Sequence, residues 1–207
     1  MKTRRITLTL GGIALLGGGI LAVLRWRANP SACPYRGRFL VELPRPGVTR
    51  GRLREVLAPR ASERVLEVGP GTGYYSLHVA EWVAPGGTLD ILDLQQGMLD
   101  HTMAKARARG VTNMVPVRGD ATALPYPDDG FDAAYMVATL GEVPDQIGAL
   151  RELRRVIRPG GRLVVGEALL DPHRVSFGKL RTQAEEAGLE FECRIGGAPG
   201  YLARFGA

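Results

Sequence analysis

The chain has 207 residues, 45% of them hydrophobic and 23% charged, which suits one globular domain with an extension and excludes a low-complexity or fibrous polymer. Its net charge of +6 is unevenly spread: residues 1–60 hold 12 Lys/Arg against 2 Glu, whereas residues 61–207 hold 15 Lys/Arg against 19 Asp/Glu. The body of the protein is therefore mildly acidic, which argues against a nucleic-acid groove. Cys33 and Cys193 form no CxxC pair and His78, His101 and His173 lie far apart, so neither a disulfide framework nor a metal site is expected.

Ile6–Leu24 is a run of 19 residues without a charge. As a helix it spans roughly 28 Å, close to the hydrocarbon core of a bilayer. Lys2, Arg4 and Arg5 precede it, and Arg25, Trp26 and Arg27 follow. The run exceeds a usual signal-peptide core, arginines follow it at once, and no small-x-small cleavage site appears, so residues 1–27 read as an uncleaved transmembrane anchor with its flanks. Ala14, Gly18 and Ala22 share one helical face, a spacing that permits close helix pairing. Residues 28–48, with Pro30, Pro34, Pro44 and Pro46, read as a Pro-rich basic linker; its arginines suit anionic headgroups.

The domain expected over residues 49–207 begins with a helix from Thr49 to Leu57, ended before Pro59. Strands and helices then alternate: strand 64–69, helix 74–84, strand 88–94, helix 97–109, strand 113–119, strand 131–138, helix 146–157, strand 162–169, helix 175–187, and strands 191–197 and 201–206. Near-continuous apolar strands separated by helices imply a parallel sheet covered on both faces. The last two strands are joined by only three residues and must form an antiparallel hairpin. The expected fold is α/β: a Rossmann-like, doubly wound, seven-stranded sheet, mostly parallel, closed by that hairpin and preceded by the transmembrane helix.

The sharpest motif is VLEVGPGTG, residues 65–73. A strand ends in Glu67 and passes through Gly69, Gly71 and Gly73 into a helix. Glycines allow a tight turn and close approach of a ligand, and unpaired N–H groups at a helix start favour an anion. The spacing is GxGxG, not the dinucleotide GxGxxG, since Tyr74 takes the third glycine's place. Glu67 repels a pyrophosphate but suits an ammonium group; S-adenosylmethionine carries both ammonium and carboxylate. Asp93 ends the second strand, where an acid accepts from both ribose hydroxyls; Asp90 competes for that role but lies inside the strand. Asp120, in RGDATALPYPDDGFD, ends the third strand; its carboxylate accepts from an adenine amine, and the Ala121 N–H serves a ring nitrogen.

VLEVGPGTG, the acid of LDL, GDATALPYPDDGFD and LRELRRVIRPGGRLVV (150–165), in this order, resemble the class I S-adenosylmethionine-dependent methyltransferases, near the ubiquinone/menaquinone C-methylases. The resemblance covers about residues 49–207. It implies that Glu67, Gly69, Gly71 and Gly73 hold the methionine part of the cofactor, Asp93 the ribose, and Asp120 with Ala121 the adenine. It also implies a sheet ending in an antiparallel hairpin.

Methyl transfer needs no nucleophilic side chain, because the sulfonium already leaves well; the protein must hold the acceptor in line and exclude water. No catalytic signature stands out. The substrate-side candidates are Tyr75, Glu142, after the fourth strand, and His173, after the fifth. Tyr75 is also placed to pack on the cofactor, Glu142 to bond local backbone, and His173 to be a surface loop residue. The expected function is methyl transfer to a small, hydrophobic or membrane-associated acceptor, with the domain on the cytoplasmic side of the cell membrane as a single-pass protein. Both flanks of the apolar run are basic and leave the orientation open. The competing readings are a tethered cofactor-binding scaffold without turnover and, disfavoured by the glycine spacing and the hairpin, an NAD-type oxidoreductase. Two widely separated cysteines disfavour an arsenic methylase.

Overall fold

The computed structural model describes residues 31–38, 45–169 and 171–207. The apolar run 6–24 and its expected anchor lie outside the described residues. Among the described residues no helix is long and apolar enough to cross a membrane.

Seven strands form one sheet in the order β3-β2-β1-β4-β5-β7-β6: β1 Arg64–Val68, β2 Thr88–Asp93, β3 Met114–Arg118, β4 Phe131–Val137, β5 Ile157–Ala168, β6 Glu190–Gly197 and β7 Gly200–Gly206. β1 to β5 pair in parallel, and β7 runs antiparallel between β5 and β6. The order reverses at β1, where chain neighbours depart to opposite sides, and the crevice above that switch point is where such sheets bind ligands.

Among the described residues five α-helices cover the two faces: α1 Arg50–Leu57, α2 Ser76–Val83, α3 Gln96–Ala108, α4 Gln146–Val156 and α5 Phe177–Glu186. Leu53, Leu57, Val79 and Leu99, from α1 to α3, bury against one face with Val65, Ile91 and Tyr135. Leu150, Leu153 and Leu180, from α4 and α5, bury against the other with Leu66, Met136 and Val165. The alternation of β1 residues between the two clusters follows from the period of two in a strand.

Helix starts follow the caps. Thr49 accepts from Arg52 N–H at 3.3 Å, Asp145 from Gly148 N–H at 2.8 Å and Ser176 from Lys179 N–H at 3.4 Å, each relieving an unpaired first-turn donor. α1 ends on Ala58, which takes φ 45°. The second helix is shorter than its pattern: Tyr74 and Tyr75 belong to the turn, and α2 begins at Ser76. β5 is longer than expected. It starts at Ile157, bulges where Phe131 pairs with Ile157 and Ala133 with Arg162, and so carries the Pro159-Gly160-Gly161 stretch within the strand. The bulge is tied down by Ala207, whose carbonyl accepts from Gly160 N–H at 3.1 Å. The helix before it ends at Val156, as the Pro-Gly-Gly punctuation marks, and pairing with the far C-terminus draws the stretch itself into the strand.

Part of the expected linker packs on the domain. Tyr35–Gly37 forms a 3-10 turn, and Val48 is a core residue, 1% exposed. Gly47 takes φ 88° and lies so close to Gly200 that a Cβ on it would meet the Gly200 backbone nitrogen at 2.7 Å.

Candidate functional site

A cavity of about 450 Å³ opens at the carboxyl ends of β1, β2 and β4, a volume in the range of small-molecule sites. Its floor is the turn from β1 into α2. Gly69, Gly71 and Gly73 take φ of 72°, 55° and 78°, a region that favours glycine. At Gly69 a Cβ would stand 2.4 Å from Thr139 Cγ2, so the side-chain-free backbone is required by both conformation and space. Thr102 Oγ1 donates to Gly71 O at 3.0 Å and fixes the loop from α3.

Gly69, Gly71, Asp93, Asp120, Ala121, Tyr75 and Glu142 all line this cavity. Asp93 Oδ1 accepts from Gln95 N–H at 2.9 Å, and burial raises its carboxyl above the ordinary range against the pull of the Gln95 and Gly71 amides. Asp120 turns Oδ1 to Thr122, accepting from its N–H at 2.9 Å and its hydroxyl at 2.8 Å. Tyr75 is buried, donates its hydroxyl to Val48 O at 2.6 Å, and is pushed up to about 12 by burial. That hydroxyl is occupied and hard to ionise, so Tyr75 walls the cavity and joins it to the segment before α1.

Three sequence candidates do not line the cavity. Glu67 is 2% exposed and sits beneath the loop. Burial pushes it up to about 7, against the nearby Ser76 and Tyr135 hydroxyls. The Ser76 and Tyr135 hydroxyls face this buried carboxyl and hold back part of the rise. Gly73 faces α3, where a Cβ would meet Thr102 Cγ2 at 2.8 Å. His173 is buried at 8% exposure and packs its backbone against Gly141, where a Cβ would stand 2.0 Å from His173 O. The loop after the fifth strand thus folds in under the β4 loop, and the histidine is neither a surface residue nor a cavity wall.

The fourth wall comes from residues that carry no local signal. Ala32, Cys33 and Arg45 line the cavity. Cys33 O accepts from Gln95 Nε2 at 2.8 Å, Tyr35 N–H donates to Gln95 Oε1 at 2.9 Å, and Cys33 N–H donates to Glu142 Oε2 at 3.3 Å. One side chain at the start of α3 and one after β4 therefore strap residues 31–38 across the mouth. Burial first, and then the Asp171 charge, push Glu142 up to about 7. Arg45 brings a positive charge that favours the ionised forms of Glu67, Glu142 and Asp171. Gln95 follows Asp93 by two residues, so the double glutamine after the strand-end acid is a signal within reach; nothing in the sequence around Arg45 marks it.

The cavity thus has a turn that accommodates only bare backbone at one end, with a cation facing it, and two carboxylates at neighbouring strand ends. Amides and a guanidinium match a carboxylate, and strand-end acids match hydroxyl and amine donors. Glu67, buried beneath the loop against the Ser76 and Tyr135 hydroxyls, places a further carboxyl next to the same end. The donor set fits an amino-acid-bearing nucleoside.

The model of the ubiE/COQ5 methyltransferase family matches residues 47–176. A ubiquinone/menaquinone biosynthesis C-methyltransferase of Shewanella frigidimarina is 36% identical over 120 residues, 58% of this chain and 48% of that protein. A demethylmenaquinone methyltransferase of Geobacillus kaustophilus is 38% identical over 102 residues, 49% of this chain and 44% of that protein. The chain spans about half the length of the curated relatives it matches. A SAM-dependent methyltransferase of Aquifex aeolicus shares the fold at 19% identity, with a TM-score of 0.77 over 84% of this chain and 98% of that one. The [4+2]-cyclase SpnF shares it at 24% identity, with a TM-score of 0.64 over 84% of this chain and 70% of that one. A common fold therefore does not fix the reaction.

Proposed function

The chain belongs to the ubiE/COQ5 methyltransferase family, and from that premise we propose that it transfers a methyl group from S-adenosylmethionine to a hydrophobic, hydroxylated aromatic acceptor met at a membrane. The observation that carries the reading is the single cavity on which Gly69, Gly71, Asp93 and Asp120 converge. When bound, the cofactor supplies a methyl group on a sulfonium, which needs no further activation to leave.

The chain's own residues then have four tasks. The bare backbone of the Gly69–Thr72 turn and the Arg45 guanidinium receive the cofactor carboxylate. Asp93 accepts from the ribose hydroxyls; Asp120 and the Ala121 N–H hold the adenine edge. The strap through Cys33 keeps water from the reacting centre, which strengthens the electrostatic interactions that align the two reactants. Glu142, pushed up to about 7, is matched to taking a proton from the acceptor near neutral pH.

A lipid-phase acceptor is supported by the uncharged run Ile6–Leu24. Leu24 and Ala32 are eight residues apart, so the run ends within roughly 28 Å of a residue on the cavity wall. Here the relatives that are named for quinone methylation serve as a guide to the acceptor class.

The test uses the full chain in neutral-detergent micelles. Calorimetry with S-adenosylmethionine is expected to show one site, and S-adenosylhomocysteine is expected to form on addition of a prenylated hydroxy-aromatic compound. Absence of heat with the cofactor overturns the site. Binding without product across a panel of such acceptors, and with membrane extracts, overturns the transfer reaction in favour of a scaffold.

A further inference from the structure

A second cavity of about 520 Å³ lies beyond the loop that follows β5, bordered by Asp171, Arg174, Ser176, Phe177, Arg194 and Tyr201. Nothing in the methyl-transfer reading uses it. Two guanidiniums face it, from the loop before α5 and from β6. Arg174 lies over the Tyr201 ring at 5.8 Å and Arg194 over the Phe177 ring at 4.3 Å. Among the described residues neither forms an ion pair at salt-bridge distance, unlike Arg151, Arg155, Arg158 and Arg162 elsewhere in the chain.

Arg174 Nε is withdrawn from solvent and has no acceptor. A buried guanidinium N–H without a partner costs free energy that an incoming acceptor restores. Two carboxyls stand near these guanidiniums: Asp171 on the rim, whose Oδ1 accepts from His173 N–H at 2.8 Å, and Glu167 behind it, which burial holds well above the ordinary carboxylate range against the pull of Arg174. With the Glu167 proton held by burial, two guanidiniums face the single Asp171 carboxylate on the rim, and positive charge is in excess. A guanidinium resting on a ring keeps its in-plane donors free, and that fork matches the oxygens of a phosphate. Leu169, an exposed leucine at 55%, stands on the same rim and offers an apolar contact next to the two cations.

We propose that this cavity binds a phosphate-type oxyanion between Arg174 and Arg194, with Leu169 placed to contact an acyl chain when the oxyanion is a lipid headgroup. The site lies apart from the cofactor cavity, and the proposal does not rest on the methyl-transfer reading.

The test follows the side-chain Nε–H signals of arginine by NMR in the full chain held in neutral-detergent micelles. The probes are inorganic phosphate, dihexanoyl phosphatidic acid, and sodium chloride at matched ionic strength. Phosphate or phosphatidic acid is expected to shift the Arg174 and Arg194 signals, and chloride is not. Saturation by phosphate alone assigns the site to a free anion; saturation by phosphatidic acid at lower concentration assigns it to a headgroup; both support the site. R174Q/R194Q is expected to weaken binding about tenfold or more. Because Arg194 is exposed, R194Q alone keeps the test open if the double variant does not fold, with a weaker but measurable loss. No shift with either phosphate probe, an equal shift with chloride, or unchanged affinity in R194Q overturns the proposal.

Discussion

The two sides of the main cavity are built by different means. The sheet side, from the Gly69 turn to Asp93 and Asp120, is backbone at strand ends, fixed by parallel pairing and by tight contacts such as Gly69 against Thr139. The strap side, Ala32 to Arg38, is held across its mouth by bonds to two side chains, Gln95 and Glu142. A wall fixed by strand pairing yields only when the fold is disturbed, whereas a wall held by a few side-chain bonds opens without unfolding. Cofactor entry is therefore expected through the strap.

Four substitutions test that difference. Gly69→Ala strikes the rigid wall through its positive φ and the 2.4 Å approach to Thr139; it is expected to cost about 2–5 kcal/mol of stability and to abolish cofactor binding. Chemical unfolding and calorimetry read both losses, and a fully stable, binding-competent variant refutes the rigid wall. Glu67→Gln touches the same wall from below and acts in the opposite sense. A carboxyl raised from 4.5 to about 7 binds its proton more tightly in the folded chain, so wild-type stability falls as pH rises from 4.5 towards 7 and stays low above. The variant is expected to be more stable by on the order of 3 kcal/mol above pH 7, the two proteins converging below about pH 4.5. Unfolding midpoints that differ equally at pH 4 and pH 8 would sink that account.

Gln95→Ala removes two of the strap's bonds. At about 1 kcal/mol each, their loss is expected to speed cofactor dissociation about thirtyfold while leaving the unfolding midpoint in place. Stopped-flow release of the cofactor measures it, and a large fall in stability would show that the strap is part of the core instead. Glu142→Gln has the mildest effect on cofactor release. The ionised carboxylate is the stronger acceptor for Cys33 N–H. Wild-type dissociation is accordingly expected to quicken a few-fold as pH falls through about 7, and the variant's to be flat with pH.

How much of this was legible in the sequence differs between the same two walls. The strands and helices of the domain follow from local patterns, and the acids at 93 and 120 announce themselves by ending strands. Gly69 and Gly71 are readable as a turn for the same reason. The residues that went unread, Arg45, Cys33 and Thr139, have no periodicity and no motif; Pro34, Pro44 and Pro46 around them signal only irregular chain. His173 and Glu67 were readable as residue types in a plausible place, but their burial away from the cavity depends on how the β5 loop and β1 pack.

The amino-acid order by itself determined the α/β class, the strand-end carboxylates and the bare-backbone turn, because each rests on spacing within a few residues and on what a side chain does to its own backbone. Only the tertiary structure decided that β5 runs on through Pro-Gly-Gly to pair with the last residues, that Ala32, Cys33 and Arg45 line the main cavity, and that two arginines from separate elements share a second one. Those outcomes depend on contacts between residues tens to more than a hundred positions apart, and no local rule reaches that far.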